Sequence, residues 1–167
     1  MPAATLETLF HATLRDVFYA EKKALQALKK HARAARHPEL KQAFEQHREE
    51  TEVQVERLQR VFETIGKRAQ GKTCAAMDGL VEEGEEVMDE FKDSPAGDAG
   101  LLAAAQAIEH YEISRYGTLA AWAKQLGNAE AEQLLRETLA EEEKTDKLLS
   151  DLAEAVVNAA AEEPKAA

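Results

Sequence analysis

The sequence predicts an all-α protein, a four-helix bundle whose second and third long helices are joined by a crossover connection carrying a short extra helix. Three observations point there. Ala, Leu, Glu and Lys dominate the 167 residues, with only 8 Gly, 4 Pro and 5% aromatics, a composition that favours helix almost throughout. Four long stretches repeat apolar residues at three- and four-residue steps, the spacing that lays a stripe along one helical face. The breaks fall at His37-Pro38, at Gly66, in the segment 92–100 and at Gly127, residue types that begin and end helices.

The first helix opens at Thr5, which can cap it, and continues through Leu6, Phe10, Leu14, Val17, Phe18, Ala24, Leu25 and Leu28. Glu21 lies at the centre of that stripe. It falls four residues after Val17 and three or four before Ala24 and Leu25, so it faces the core if they do. The second helix runs from Pro38 or Glu39 to Ile65, with Leu40, Ala43, Phe44, Val55, Leu58, Val61, Phe62 and Ile65 on one side. Its middle is polar on that same side, at His47, Glu50, Thr51 and Gln54. The short connection between the two implies an antiparallel hairpin.

Residues 67–73 read as a loop, and Cys74 to Phe91 as a shorter amphipathic helix through Met77, Leu80, Val81, Val87, Met88 and Phe91. Its acidic run, residues 82–86, reads as a solvated face. A second linker follows, with Asp98 the expected cap of the third long helix. The whole connection is roughly thirty residues and includes a helix, enough to cross the length of a bundle.

In the third long helix Leu102, Ala105, Ile108, Tyr116 and Leu119 form the stripe, and Glu109 and Glu112 interrupt it. After Gly127, Asn128 caps a fourth helix through Leu134, Leu135, Leu139, Leu148, Leu149, Leu152 and Val156. There Glu142 and Asp146 share the apolar face, with Glu141 beside them. Residues 1–157 form one domain on this reading, and 158–167 a frayed tail.

All four long helices therefore carry polar groups midway along an apolar stripe. Glu21 to Glu50 spans 29 residues and Glu112 to Glu142 spans 30, which sets the carboxylates of two hairpins at matching depth. A carboxylate in an apolar seam must be neutralised, paired or bound to a cation. So many together repel one another, and two divalent cations relieve that repulsion. Carboxylate oxygens with one imidazole suit iron or manganese better than thiolate-seeking metals. The candidate ligands are Glu21, His47, Glu50, Glu109, Glu112, Glu142 and Asp146, with Gln54 and Glu141 as alternatives; Glu112 matches the hairpin spacing better than Glu109. His11, His31, His37 and His110 read as surface or loop residues, Trp122 and the tyrosines as core or boundary, and Cys74 as structural.

The formal net charge of −11 argues against nucleic acid or an anionic membrane as partner, since both are polyanions. No start resembling a signal peptide and no apolar run of about 18 residues occurs. A single cysteine excludes an internal disulfide, and a cytoplasmic protein is expected.

Ala20-Glu21-Lys-Lys-Ala-Leu, His47-Arg-Glu-Glu-Thr51-Glu-Val-Gln54, Cys74-Ala-Ala-Met77, Glu109-His-Tyr-Glu112-Ile-Ser-Arg-Tyr-Gly117 and Thr138-Leu-Ala-Glu-Glu-Glu-Lys-Thr-Asp146 resemble the signatures of the YciE/YciF family of ferritin-like proteins. The likeness extends from about Leu6 to Leu152. It implies a ferritin-like bundle, a dinuclear iron site, a ferroxidase role with Fe(II) and O2 or peroxide as reactants, a link to bacterial stress responses and a homodimer. Di-iron bundles of this kind supply one Glu from each of two helices and Glu-x-x-His from each of the other two. Here Glu21 and Glu112 fit the single-Glu roles. The second helix instead offers His47-x-x-Glu50 in reversed order, and the fourth offers Glu142 with Asp146 and no His.

Overall fold

The computed structural model describes residues 3–162. Four long helices form its frame: α1 (Leu6–Ala34), α2 (Pro38–Thr64), α4 (Gly97–Gln125) and α5 (Ala129–Leu152), with α3 (Ala75–Phe91) lying outside. Around the bundle α1 neighbours α2, α2 neighbours α5, α5 neighbours α4, and α4 closes on α1. Phe10 and Leu14 near the start of α1 share a core with Phe62 at the end of α2, Ala123 at the end of α4 and Ala131 at the start of α5. Thus α1 and α5 run one way and α2 and α4 the other. A chain that leaves α2 at one end must enter α4 at the opposite end, and α3 makes that climb, packed on α1 and α4.

The turns follow from local chemistry. Thr5 and Thr8 form a reciprocal capping box at the start of α1. Gly66 and Gly127 adopt φ of 64° and 73°, the left-handed conformation glycine takes at low cost. At each, the next residue's N–H returns to a carbonyl of the last helical turn, Lys67 to Phe62 and Asn128 to Ala123, both near 3 Å. Asn128 then caps α5 through Ala131 N–H. Cys74 caps α3, its sulfur accepting from Met77 N–H.

Asp98 does not cap its own helix as expected. Its carboxylate accepts the N–H groups of Arg36 and His37 at 2.9 and 2.8 Å, so it ties the α1–α2 turn to the start of α4, where those donors have no helical acceptor. Beyond Leu152 the backbone widens into a π-helical turn, Ala153–Val157, closed by Asn158 N–H on Ala153, and continues as α6 (Asn158–Glu162). The wide turn brings Leu152 and Val157, five residues apart, into the same core. Residues 163–167 of the expected tail lie outside the described residues. Among those described, no helix is long and apolar enough to cross a membrane.

Two apolar cores close the bundle. One holds Phe10, Leu14, Phe18, Leu58, Phe62, Leu119 and Leu135. The other holds Leu28, Leu40, Phe44, Leu101, Leu102, Leu149 and Leu152. Between them lies a polar waist.

Candidate metal centre

Each long helix contributes to the waist from the middle of its buried face. Glu21 comes from α1, His47, Thr51 and Gln54 from α2, Glu109 and Glu112 from α4, and Thr138, Glu142 and Thr145 from α5, all of them buried. The carboxylates of Glu21, Glu109, Glu112 and Glu142 are at most 2% exposed. One ligand atom from each of His47, Glu109, Glu112 and Glu142 lies within 4.8 Å of the other three.

The imidazole of His47 is the hub. Its Nε2 is 3.0 Å from Glu109 Oε1 and 3.4 Å from Glu142 Oε2, while Nδ1 faces Thr145 Oγ1 at 3.2 Å and Glu50 Oε2 at 3.5 Å. On the opposite side Tyr116 donates its hydroxyl to Glu21 Oε1 at 2.7 Å, both residues being fully buried. Beside them Glu141 is clasped by the Arg57 guanidinium through two 3.0 Å bonds and also accepts from Gln54 at 3.0 Å.

Burial dominates the electrostatics. It pushes Glu21 up to about 8, helped by repulsion from Glu142 and opposed by the Tyr116 hydroxyl. Glu112 is raised well above the usual range by burial and by the charges of Glu21, Glu142 and Glu109. Glu109 is raised as well, by burial and then by Glu142. Burial alone would lower His47 and raise Glu142, but each is overruled. The charge and hydrogen bond of Glu109, with Glu142 and Glu50, raise the imidazole, and the nearby polar groups of Glu109, His47 and Gln54 lower Glu142. The carboxyls of Glu21 and Glu112 are close enough to share a proton, as are those of Glu109 and Glu142.

Apart from such shared protons, Glu21 Oε2, Glu109 Oε2 and Glu112 Oε1 are buried with no hydrogen-bond partner, and the two buried oxygens of Glu142 have only the 3.4 Å approach of His47 Nε2 to one of them. Buried polar atoms are rarely left so. Several converging oxygens with one imidazole nitrogen are what a hard or borderline divalent cation binds. The residues present therefore fit a metal ion.

The structure brings together Glu21, His47, Glu109, Glu112 and Glu142. Glu50 stands at the rim, its side chain 27% exposed, reaching the cluster through His47. Asp146 is not brought in. Its carboxylate accepts from Gln106 at 3.2 Å and meets exposed His110 at 3.1 Å. The seam of α5 runs through Leu135, Thr138, Glu142, Thr145, Leu149 and Leu152, alternating steps of three and four. Position 145 therefore faces in, and 146 lies on the flank. Glu141 is held by Arg57, and Gln54 links the two.

Thr145, Tyr116 and, beside the cluster, His31 stand outside the candidates drawn from the sequence, as do Thr138 and Arg57. Thr145 was hidden by the choice of Asp146, although the three–four alternation from Leu135 would have found it. The sequence places Tyr116 in the core or at its boundary, and nothing in a sequence says where a core hydroxyl points. His31, expected at the surface, is only 4% exposed, because its ring packs on Phe44, centroids 5.4 Å apart.

Residues 5–162 match a family model described as a domain of unknown function, DUF892. The chain belongs to the DUF892 family. Protein YciF of Escherichia coli K12, a relative of this DUF892 chain, is 47% identical over 163 residues, which is 97% of this chain and 98% of YciF. The crystal structure of that protein, described as the E. coli stress protein YciF, superposes with a TM-score of 0.88 at 46% identity, covering 93% of this chain and 99% of that one. YcfI from Rhodopseudomonas palustris matches at 0.86 and 42%, covering 89% and 95%. A protein from Xanthomonas campestris pv. campestris matches at 0.72 and 27%, covering 93% and 94%. The resemblance drawn from the sequence motifs thus holds over the DUF892 chain as a whole, and the bundle with its crossover helix is the fold it shares.

Proposed function

We propose that this chain is a non-haem di-iron protein that oxidises Fe(II) with O2 or peroxide, in a role linked to the stress response that gives YciF its description. One observation carries the reading: His47, Glu109, Glu112 and Glu142, all buried, each offer an atom within 4.8 Å of the other three in the middle of an otherwise apolar bundle, and several of their oxygens lack a hydrogen-bond partner. Glu21, His47, Glu109, Glu112 and Glu142 would hold the metal, with Glu50 reaching it from the rim; manganese suits the same donors. The bound metal would supply the redox chemistry. The protein's own part is geometric and electrostatic. Tyr116 fixes one oxygen of Glu21 so that the other turns inward, Thr145 and Glu50 hold His47 Nδ1 and leave Nε2 to the cluster, and the two apolar cores exclude water above and below. Ferrous ions and O2 or peroxide are the proposed reactants, in a cytoplasmic homodimer with no nucleic-acid or membrane partner.

A second reading draws on the close carboxyl pairs, which shared protons can hold without metal. It makes the chain a metal-free bundle acting as a stress-induced interaction protein. Protein purified without chelator decides between the two by elemental analysis and anaerobic Fe(II) titration followed by oxidant. Bound iron or manganese and oxidation faster than in buffer are expected. Absence of both would remove the di-iron reading in favour of the second.

A further inference from the structure

His31 is a buried imidazole that the proposed function leaves unused. It is 4% exposed, and its Nδ1 has no hydrogen-bond partner. Leaving such a group unsatisfied costs free energy, so a buried imidazole nitrogen calls for a ligand. Beside it lies a void of about 10 Å³, bordered by His31, His47, Glu109 and Glu112, with Ala24 and Ala105 among its walls. That volume admits about one water-sized molecule.

Three of the unpartnered buried atoms belong to residues around this one void: His31 Nδ1, Glu109 Oε2 and Glu112 Oε1. A buried water needs two to four polar partners, and a site with polar ends and room for one molecule supplies what it requires. Alanine at positions 24 and 105 keeps the space open, since a larger side chain at either would intrude. The Phe44 ring holds the imidazole against this side of the cluster. Burial also lowers the His31 pKa to about 4. The ring is then neutral at pH 7 and offers one donor and one acceptor.

We propose that this void is the subsite for a single-oxygen ligand of the metal, one water or hydroxide, with His31 as its hydrogen-bonding partner. The proposal rests on the metal-binding reading above. His31 is a positioning residue: it orients the small ligand and does not hold the ion. The imidazole and the alanines are two walls of the same void, so a change at either should alter what binds there.

Fluoride, an ion about the size of a water molecule, is the probe, titrated into iron-loaded, oxidised protein and followed by the change it makes in the ferric near-ultraviolet absorption. Two variants act from different walls: His31→Phe removes the ring nitrogens at similar size, and Ala105→Val narrows the void with the histidine intact. Iron stoichiometry is measured first and should stay at the wild-type value in both. Fluoride affinity should then fall about tenfold in each, the scale of one lost hydrogen bond or an occluded site. His31→Gln, which retains a donor and an acceptor, should recover part of the loss where a merely structural role would not. Wild-type fluoride affinity in both His31→Phe and Ala105→Val, with iron fully bound, would overturn the subsite. A wild-type protein that binds no iron would overturn the metal reading itself, and that failure appears before any fluoride is added.

Discussion

At its two ends the bundle is closed by layers of Leu, Phe and Val, whereas its waist, equally buried, is lined by carboxylates and an imidazole. The same helices build both. In the end cores each buried side chain contributes roughly 1.5–3 kcal/mol by leaving water. In the waist burial works against the charged groups, lifting the pKa values of Glu21, Glu109 and Glu112. The ends supply stability that the waist consumes, and the donors buried in the waist could hold a cation. A second contrast sharpens the point. Glu82, Glu83 and Glu86 on α3 are as acidic but exposed, so they need no partner and select no ligand.

The largest effect should come from the ends. Phe62→Ala, in a core where that ring meets Phe18 edge-on at 5.5 Å, should destabilise the protein by about 3–5 kcal/mol. Denaturant unfolding should show the same loss with and without metal, because the cavity lies away from the donors. A metal-dependent difference would break the separation between end and waist.

Next comes metal itself. Fe(II) or Mn(II) added anaerobically to chelated protein should raise the melting temperature, by an amount equivalent to about 2.7 kcal/mol at a free concentration one hundred times Kd. Glu142→Gln and Glu112→Gln should each shrink that rise, and Glu82→Gln should leave it unchanged. Equal losses from all three would mean nonspecific binding to an acidic protein.

The waist should reverse the usual sense of a core substitution. Glu21→Leu alone strands the Tyr116 hydroxyl that Glu21 accepts, so the informative variant pairs it with Tyr116→Phe. In metal-free protein the pair should raise stability by about 1–3 kcal/mol, as when buried charged groups give way to packed apolar ones. It should also remove much of the metal-induced rise. A destabilised double variant would show the waist to be well satisfied without metal.

The pH dependence of the metal-free protein follows from the same groups. Glu21 carries a raised folded pKa of about 8, so between its unfolded value of about 4.5 and 8 the folded state binds the extra proton. Its contribution is full below the unfolded pKa and is lost as pH rises through about 8. Glu109, Glu112 and His47, also raised, act in the same direction, and Glu142, lowered, opposes them. Chelated protein should therefore melt lower at pH 8 than at pH 6. Metal-loaded protein should show the opposite trend, because binding displaces those protons.

The smallest effect belongs to the surface. Glu82→Ala should change stability by less than about 0.5 kcal/mol, measured in the same melts.

The four long helices, the short crossover helix and the two tight hairpins were legible in the sequence because they rest on local rules: apolar periodicity, Gly at helix ends, Pro at a helix start and Asn or Thr as caps; the π-helical turn and α6 beyond Leu152 were not. The depth of Glu21, His47, Glu109, Glu112 and Glu142 was legible too, since a charged residue inside an apolar stripe is a conflict visible in one dimension. Asp98 as the cap of its own helix was one expectation that tertiary structure overturned, because the free N–H groups of Arg36 and His37 come from another part of the chain.

What the sequence by itself determined is thus which residues must be buried, for burial of a helical face depends only on spacing along that helix. What only the tertiary structure decided is which buried groups meet. Glu142 lies on the α5 seam by spacing alone, yet only the packing of α2 against α5 sets it beside His47. Tyr116 reaches Glu21 across 95 residues of sequence, and His31 comes to border the same void as Glu109. A periodicity of 3.6 residues fixes a face to within tens of degrees, whereas a hydrogen bond needs tenths of an ångström, and that precision arises only when four helices pack together.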